Sequence, residues 1–368
     1  MTLADMLEYI KWRGDIPFSQ VPFTPVDNLI LSTLVYIDFA GLVGDDLGHP
    51  VPLSAAAEAF FALPAHAQRI RVKADLALLR AAASAPRFRD MGLAFYRDIF
   101  IPEEETQFAA MAYLTGDGSA FLAFRGTDTS LVGWKEDFNM SFQDFVPAQR
   151  EALRFTQEFA AACPMTLRLG GHSKGGNLAV FAGATCPADV QSRILGVYNN
   201  DGPGFTEFLM GKGGYLAIVP RIHTYIPQSS IIGILLEHEE PYTVIKSSQV
   251  SILQHEPHSW EVMGGDFMPV QEMSAETRFL DRTIKKWIAG MSREERGKFV
   301  DAVFTLLTAG GADQTDEIMQ PRNVRAFFKA LNADDATRKM LFGELSNLIR
   351  SANDVRLQSA AKGEALKQ

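Results

Sequence analysis

Apolar and polar positions change rhythm twice along this chain. In the first hundred residues they follow helical spacing. "VDNLILSTLVYIDF" reads as a buried helix, and "AQRIRVKADLALLRAAASAPRF" keeps a helical period until Pro86 ends it. Short runs rich in aromatic and apolar residues then take over. "LAFYRDIFI", "TQFAAMAYLT" and "SAFLAFRGT" predict strands, the last two joined across Gly116, Asp117 and Gly118, a hairpin turn sequence. Next come a helix over "VPAQREALRFTQEFAAAC", a strand over "MTLRL", a helix over "NLAVFAGATC" and, in "ILGVYNNDGPGF", a strand running into a loop. "YLAIV", "IHTYI" and "YTVIKSS" read as further strands, and from Met273 onward the chain turns helical and charged.

Strands alternating with helices predict an α/β fold with a mostly parallel central sheet flanked by helices. Additional helical segments lie before and after it. The expected division is a mainly helical N-terminal part at 1–90 packed on the core, an α/β core at 91–270 and a helical region at 271–368.

Composition narrows the function classes. The net charge is −9 and no Lys/Arg-rich stretch occurs, which argues against nucleic-acid binding. The 2 cysteines, Cys163 and Cys186, give no disulfide framework and no metal-thiolate pair. The histidines lack ligand spacing such as His-Glu-x-x-His, so neither a metal nor a cofactor is expected. The N-terminal residues lack the pattern of a signal peptide, and the apolar run "NLILSTLVYIDFAGLV" is interrupted by Asp38 and short for a membrane span. The expected location is cytoplasmic, without a transmembrane segment; peripheral membrane contact and oligomeric state stay open.

The chemistry concentrates in "LRLGGHSKGGNLAVFAG", where Gly171, His172, Ser173, Lys174 and Gly175 satisfy Gly-x-Ser-x-Gly. A nucleophilic serine on a tight strand-to-helix turn needs small residues two before and two after it, and an apolar strand and helix on either side. A phosphate-binding loop would need Ser or Thr directly after Gly-Lys, whereas Gly175 and Gly176 follow Lys174. Ser173 is therefore the candidate nucleophile.

A serine nucleophile needs a base, and the base needs an orienting acid. His255, in "ILQHEPHSWEV" after the "YTVIKSS" strand, is the first candidate for the base and His258 the second. Asp201, where "VYNNDGPGF" leaves its strand, is the candidate acid, with Glu237, Glu239, Glu240 and Asp266 as rivals. Oxyanion donors are expected from the amide of Lys174 and from Thr127 in "AFRGTD".

Taken together, "FLAFRGTDTSLVGWKEDF" and "LGGHSKGGNLA" resemble the class 3 lipase branch of the α/β-hydrolases. A closer resemblance is to bacterial Mbeg1-like proteins, carried by "YIKWRGDIPF", "FRGTD", "GWKEDFNMSF", "GHSKGGNLA", "YNNDGPGF", "PQSSIIGILLEHEEPYTVIKSS" and "QHEPHSWEV", from about Leu7 to Val262. The resemblance implies an α/β-hydrolase fold and lipase or esterase activity, with Ser173 as nucleophile, His255 as base, and Thr127 with Lys174 as the oxyanion pair. Secreted class 3 lipases carry their acid on the strand that "IHTYIPQSS" resembles. Pro227, Gln228 and Ser229 stand there instead, which moves the acid to Asp201.

The leading expectation is a serine hydrolase cleaving small-molecule or lipid acyl esters, with Ile231–Leu236 and Phe205–Met210 as candidate acyl-chain contacts. Acyl transfer or thioester cleavage at the same site, and a hydrolase-like binding protein without turnover, are the alternatives.

Overall fold

The computed structural model describes residues 4–365. Eight strands lie side by side in the order in which the chain makes them. They are β1 (Val51–Pro52), β2 (Gly92–Ile101), β3 (Thr106–Leu114), β4 (Ser119–Phe124), β5 (Thr166–His172), β6 (Ile194–Asn200), β7 (Ile222–Pro227) and β8 (Tyr242–Ile245). Pairings from β1 to β4 are antiparallel, and those from β4 to β8 are parallel.

The period-two geometry of a strand explains how one sequence serves two cores. On β4, Phe121 and Ala123 join the apolar cluster built with the N-terminal helices. Leu122 and Phe124 join the cluster on the other face, with Phe155 and Phe159 of the helix Pro147–Ala162 and with the helix Lys174–Thr185. Both faces are covered, so β3 and β4 are apolar nearly throughout and do not alternate. This mostly parallel sheet flanked by helices is an α/β-hydrolase fold.

The N-terminal helices Met6–Arg13, Pro25–Leu34, Leu53–Ala62 and Ala74–Ser84 are tied down by a buried ion pair. Arg87 donates to both oxygens of Asp27, at 2.8 and 2.6 Å, with neither side chain exposed, and Tyr9 donates to Asp27 at 3.0 Å. The C-terminal helices Ala275–Ala289, Arg293–Thr308, Pro321–Ala333 and Asp335–Ala365 form a separate layer, which touches the core where Phe304 packs on Phe138. The ends of the expected N- and C-terminal parts, residues 1–3 and 366–368, lie outside the described residues.

Two expectations are corrected. "YLAIV" is not a strand: Gly213–Ile218 is a short helix that buries Tyr215 and Ile218 beside the helix Lys174–Thr185. The helix expected from Ala67 begins only at Ala74, because Arg69, Arg71 and Asp75 are drawn into side-chain pairs with other parts of the chain. Among the described residues, no helix is long and apolar enough to cross a membrane.

Candidate active site

β5 ends at His172, the helix Lys174–Thr185 begins one residue after Ser173, and Ser173 has φ 59° and ψ −134°. A non-glycine residue there carries about 1–3 kcal/mol of strain, so the surroundings must hold it in place. They do so through the backbone. Ser173 N–H donates to Asn200 O at 2.9 Å, and Gly176 N–H donates to Ser173 O at 2.9 Å. The glycine spacing is steric: a Cβ on Gly171 would lie 2.3 Å from the Gly175 carbonyl carbon, and one on Gly175 would lie 2.1 Å from Phe124 O.

Asp201 directly follows β6, the strand next to β5. It is fully buried, at φ 56°, with its N–H donated to Tyr225 O at 2.9 Å. His255 Nδ1 lies 2.6 Å from Asp201 Oδ2. Burial raises the Asp201 pKa, opposed by His255, Ser230 and the Gly233 amide. With Asp201 Oδ2 accepting, Nδ1 carries the proton and Nε2 is left free to accept one. Gly233 makes room for the pair, since a Cβ there would sit 2.2 Å from Asp201 Oδ1.

The residue before the serine is hydrogen-bonded to the His255 segment. His172 Nε2 is 2.7 Å from the carbonyl oxygen of His255. A carbonyl only accepts, so Nε2 carries the proton and Nδ1 accepts from Tyr36 OH at 3.1 Å. Burial, then the neighbouring His255 and Arg71, hold the His172 pKa well below its usual value, keeping the ring neutral. This role had a signal in the sequence, a histidine inside the turn motif.

The other candidates are engaged elsewhere. His258 Nε2 is 2.8 Å from Asp75 Oδ1. Glu240 is buried, accepts from Tyr215 and Thr224, and pairs with His238. Glu237 pairs with Lys285 at 3.1 Å, Glu239 is exposed, and Asp266 sits on a two-residue hairpin strand. Phe205, Leu209, Met210 and Ile234 are core residues, so these parts of the two apolar stretches expected to meet an acyl chain pack inward, while Phe208, Ile231, Ile232, Leu235 and Leu236 are partly exposed.

On the oxyanion side, Thr127 Oγ1 donates to Asp137 Oδ2 at 2.5 Å. About a third of the Asp137 side chain reaches solvent (32%), yet its other oxygen is shut away without a hydrogen-bond partner. Burial raises the Asp137 pKa to about 6, against the pull of Lys174 and Thr127. The Lys174 side chain is almost fully buried. Its Nζ lies 2.8 Å from each of Gln107 O, Gln107 Oε1 and Glu136 Oε2. Glu136 also accepts from the Ala148 and Gln107 amides, at 2.7 and 3.2 Å. The sequence had marked Lys174 only for its amide; a lysine in an apolar, buried helix was the signal that it needed an internal counter-charge. Arg125 of the same segment pairs with Asp98, at 2.9 and 3.1 Å.

A cavity of about 410 Å³ lies between the helices Ala275–Ala289 and Asp335–Ala365, lined by Arg278, Phe279, Arg282 and Arg356, and touches none of these site residues. Among the described residues, no cluster of His, Cys, Asp or Glu is placed to hold a metal ion.

Among solved structures, the fold is similar to the native propeptide complex of Rhizomucor miehei lipase, with 12% identity and a TM-score of 0.34 over 58% of this chain and 79% of that one. A deletion mutant of that complex gives 14% identity and a TM-score of 0.36 over 52% of this chain and 71% of the other. M37 lipase gives 12% and 0.33 over 68% and 82%. No curated protein matches the sequence. The Mbeg1-like family pattern matches residues 82–305, well over half the chain, and the protein belongs to the Mbeg1-like family.

Proposed function

We propose that this protein is a serine hydrolase of carboxylic esters, with Ser173 as nucleophile, His255 as base, Asp201 as the acid that orients it, and the amides of Lys174 and Thr127 as oxyanion donors. The observation that carries the reading is the 2.6 Å contact between His255 Nδ1 and Asp201 Oδ2, beside a strained serine at the end of the adjacent strand.

In this reading His255 Nε2 takes the Ser173 hydroxyl proton as Oγ attacks the acyl carbonyl. Negative charge builds on the carbonyl oxygen, where amides at the start of the helix Lys174–Thr185 and in the Thr127 segment donate to it. The tetrahedral species collapses, the alcohol leaves with the proton from His255, and an acyl ester remains on Ser173. Water, deprotonated by the same histidine, releases the acid. Asp201 holds the imidazole in the right tautomer and stabilises its charged form. Val250, Ile252 and Leu253, exposed on the turn that leads into His255, suit contact with an apolar acyl group.

The test is a fluorophosphonate probe together with turnover of p-nitrophenyl esters. The wild type is labelled and Ser173→Ala is not, with turnover lowered on the order of 10³-fold or more. Asp201→Asn lowers turnover far more than Glu237→Gln or Asp266→Asn. A folded wild type that neither labels nor turns over ester refutes the proposal and leaves a hydrolase-like binding protein.

A further inference from the structure

We infer that Arg71 and Asp75, in the N-terminal part that precedes the family-matched residues, are positioning residues for the loop that carries His255; the inference rests on the serine-hydrolase reading. His255 closes a five-residue 3₁₀ turn and has no strand partner to fix it. Two of the following residues are held by side chains from far back in the chain. Arg71 grips Glu256 as a fork, Nη1 to Oε2 at 2.7 Å and Nη2 to Oε1 at 2.8 Å. Asp75, fully buried in the first turn of the helix Ala74–Ser84, holds His258 Nε2 at 2.8 Å with one oxygen and accepts the Val72 amide at 3.0 Å with the other.

The same segment reaches His255 by a third route. The Arg71 guanidinium lies over the Tyr36 ring, 4.8 Å from its centre, and Tyr36 OH donates to Nδ1 of His172, whose Nε2 proton holds the His255 carbonyl. On the near side, Gln254 is anchored by accepting the Ser229 amide at 2.7 Å. The loop is thus pinned at residues 254, 255, 256 and 258, and the last two pins are side-chain pairs with residues 71 and 75. A bidentate Arg–carboxylate fork fixes direction as well as distance. A displacement of about 1 Å in a reacting group costs on the order of 10²-fold in rate. Loosening these pins therefore lets His255 swing relative to Ser173 while Asp201 still holds its ring.

The experiment uses the full chain carrying Arg71→Met, Asp75→Asn or Glu256→Gln, the last keeping one arm of the fork should the others fold poorly. The readouts are the rate of fluorophosphonate labelling, kcat and KM on a soluble p-nitrophenyl ester, and the low-field proton resonance of His255 Nδ1–H. The expected result is a kcat and a labelling rate lowered about 10- to 100-fold with KM nearly unchanged, a weakened or exchange-broadened low-field resonance, and still cooperative unfolding. Variants that melt earlier yet label and turn over at the wild-type rate overturn the inference and reduce these pairs to staples of the fold. A wild type that fails to label sinks the hydrolase reading itself, and the inference with it.

Discussion

Replacing Lys174 by methionine removes an ammonium from the interior and leaves its neighbours in place. Glu136 is fully buried, and the lysine is the one cation within ion-pair distance of it among the described residues. In the variant the carboxylate keeps two backbone amides but loses its counter-charge, while Gln107 loses the donor to both its carbonyl and side-chain oxygens. Breaking a buried pair from one side costs about 3–5 kcal/mol. Unfolding entropy of about 2.1 cal/mol/K per residue, over 368 residues, comes to about 0.8 kcal/mol/K, so a loss of about 4 kcal/mol lowers Tm by about 5 °C. Adding Glu136→Gln removes the second charge while keeping an acceptor for one of the two amides, and should recover about half of that loss or more. The assay is urea and thermal unfolding of the wild type, both single variants and the double variant, read as a double-mutant cycle. A Lys174→Met variant within about 1 kcal/mol of wild type, or a double variant worse than the sum of the singles, refutes the account.

Ser173→Gly should be more stable than Ser173→Ala by about 1 kcal/mol, since alanine keeps the Cβ that strains φ 59° and glycine, after its own entropy cost, does not; urea midpoints that rank the two the other way would refute this. Gly233→Ala drives a methyl group toward Asp201 Oδ1 and should lower ester turnover at least about 10-fold in a folded protein, and unchanged turnover would show that the carboxylate has room to move. His172 has a depressed pKa, so below about pH 6.5 the unfolded chain takes up a proton that the folded chain refuses. Stability should fall as the pH is lowered through that range, by up to about 1.4 kcal/mol per unit, and a His172→Gln variant should lose that part of the slope in pH-dependent urea titrations.

Local steric demands were legible in the sequence; distant charge pairing was not. The turn at Ser173 shows because Gly171 and Gly175 are each needed within two residues of it, and the hairpin at Gly116 and Gly118 shows for the same kind of reason. Strands β2 to β8 carry apolar runs bounded by turn residues, whereas β1 is two residues long and leaves no pattern. "YLAIV" misled because five apolar residues hold no period that separates a strand from one buried turn of helix. Arg71 with Glu256 and Asp75 with His258 are separated by 185 and 183 residues, and Lys174 with Glu136 by 38, so no spacing rule reaches them. A buried charge in an apolar helix announces only that a partner exists, not where it lies.

The sheet whose strands are laid down in chain order has a consequence for a growing polypeptide. The meander β1 to β4 can close on itself from neighbouring sequence, and each later strand is then added to the edge left open by the one before. That free edge moves along the sheet as synthesis proceeds and comes to rest on β8, only four residues long, while the opposite edge is the two-residue β1. The short β8 margin offers little template for pairing with another chain, whereas on the other side β1 covers only Gly92 and Leu93 of β2. Exposure to unwanted strand pairing on the growing side is thereby confined to assembly, and the edge the finished molecule still offers is the outer one of β2, along Arg97–Ile101.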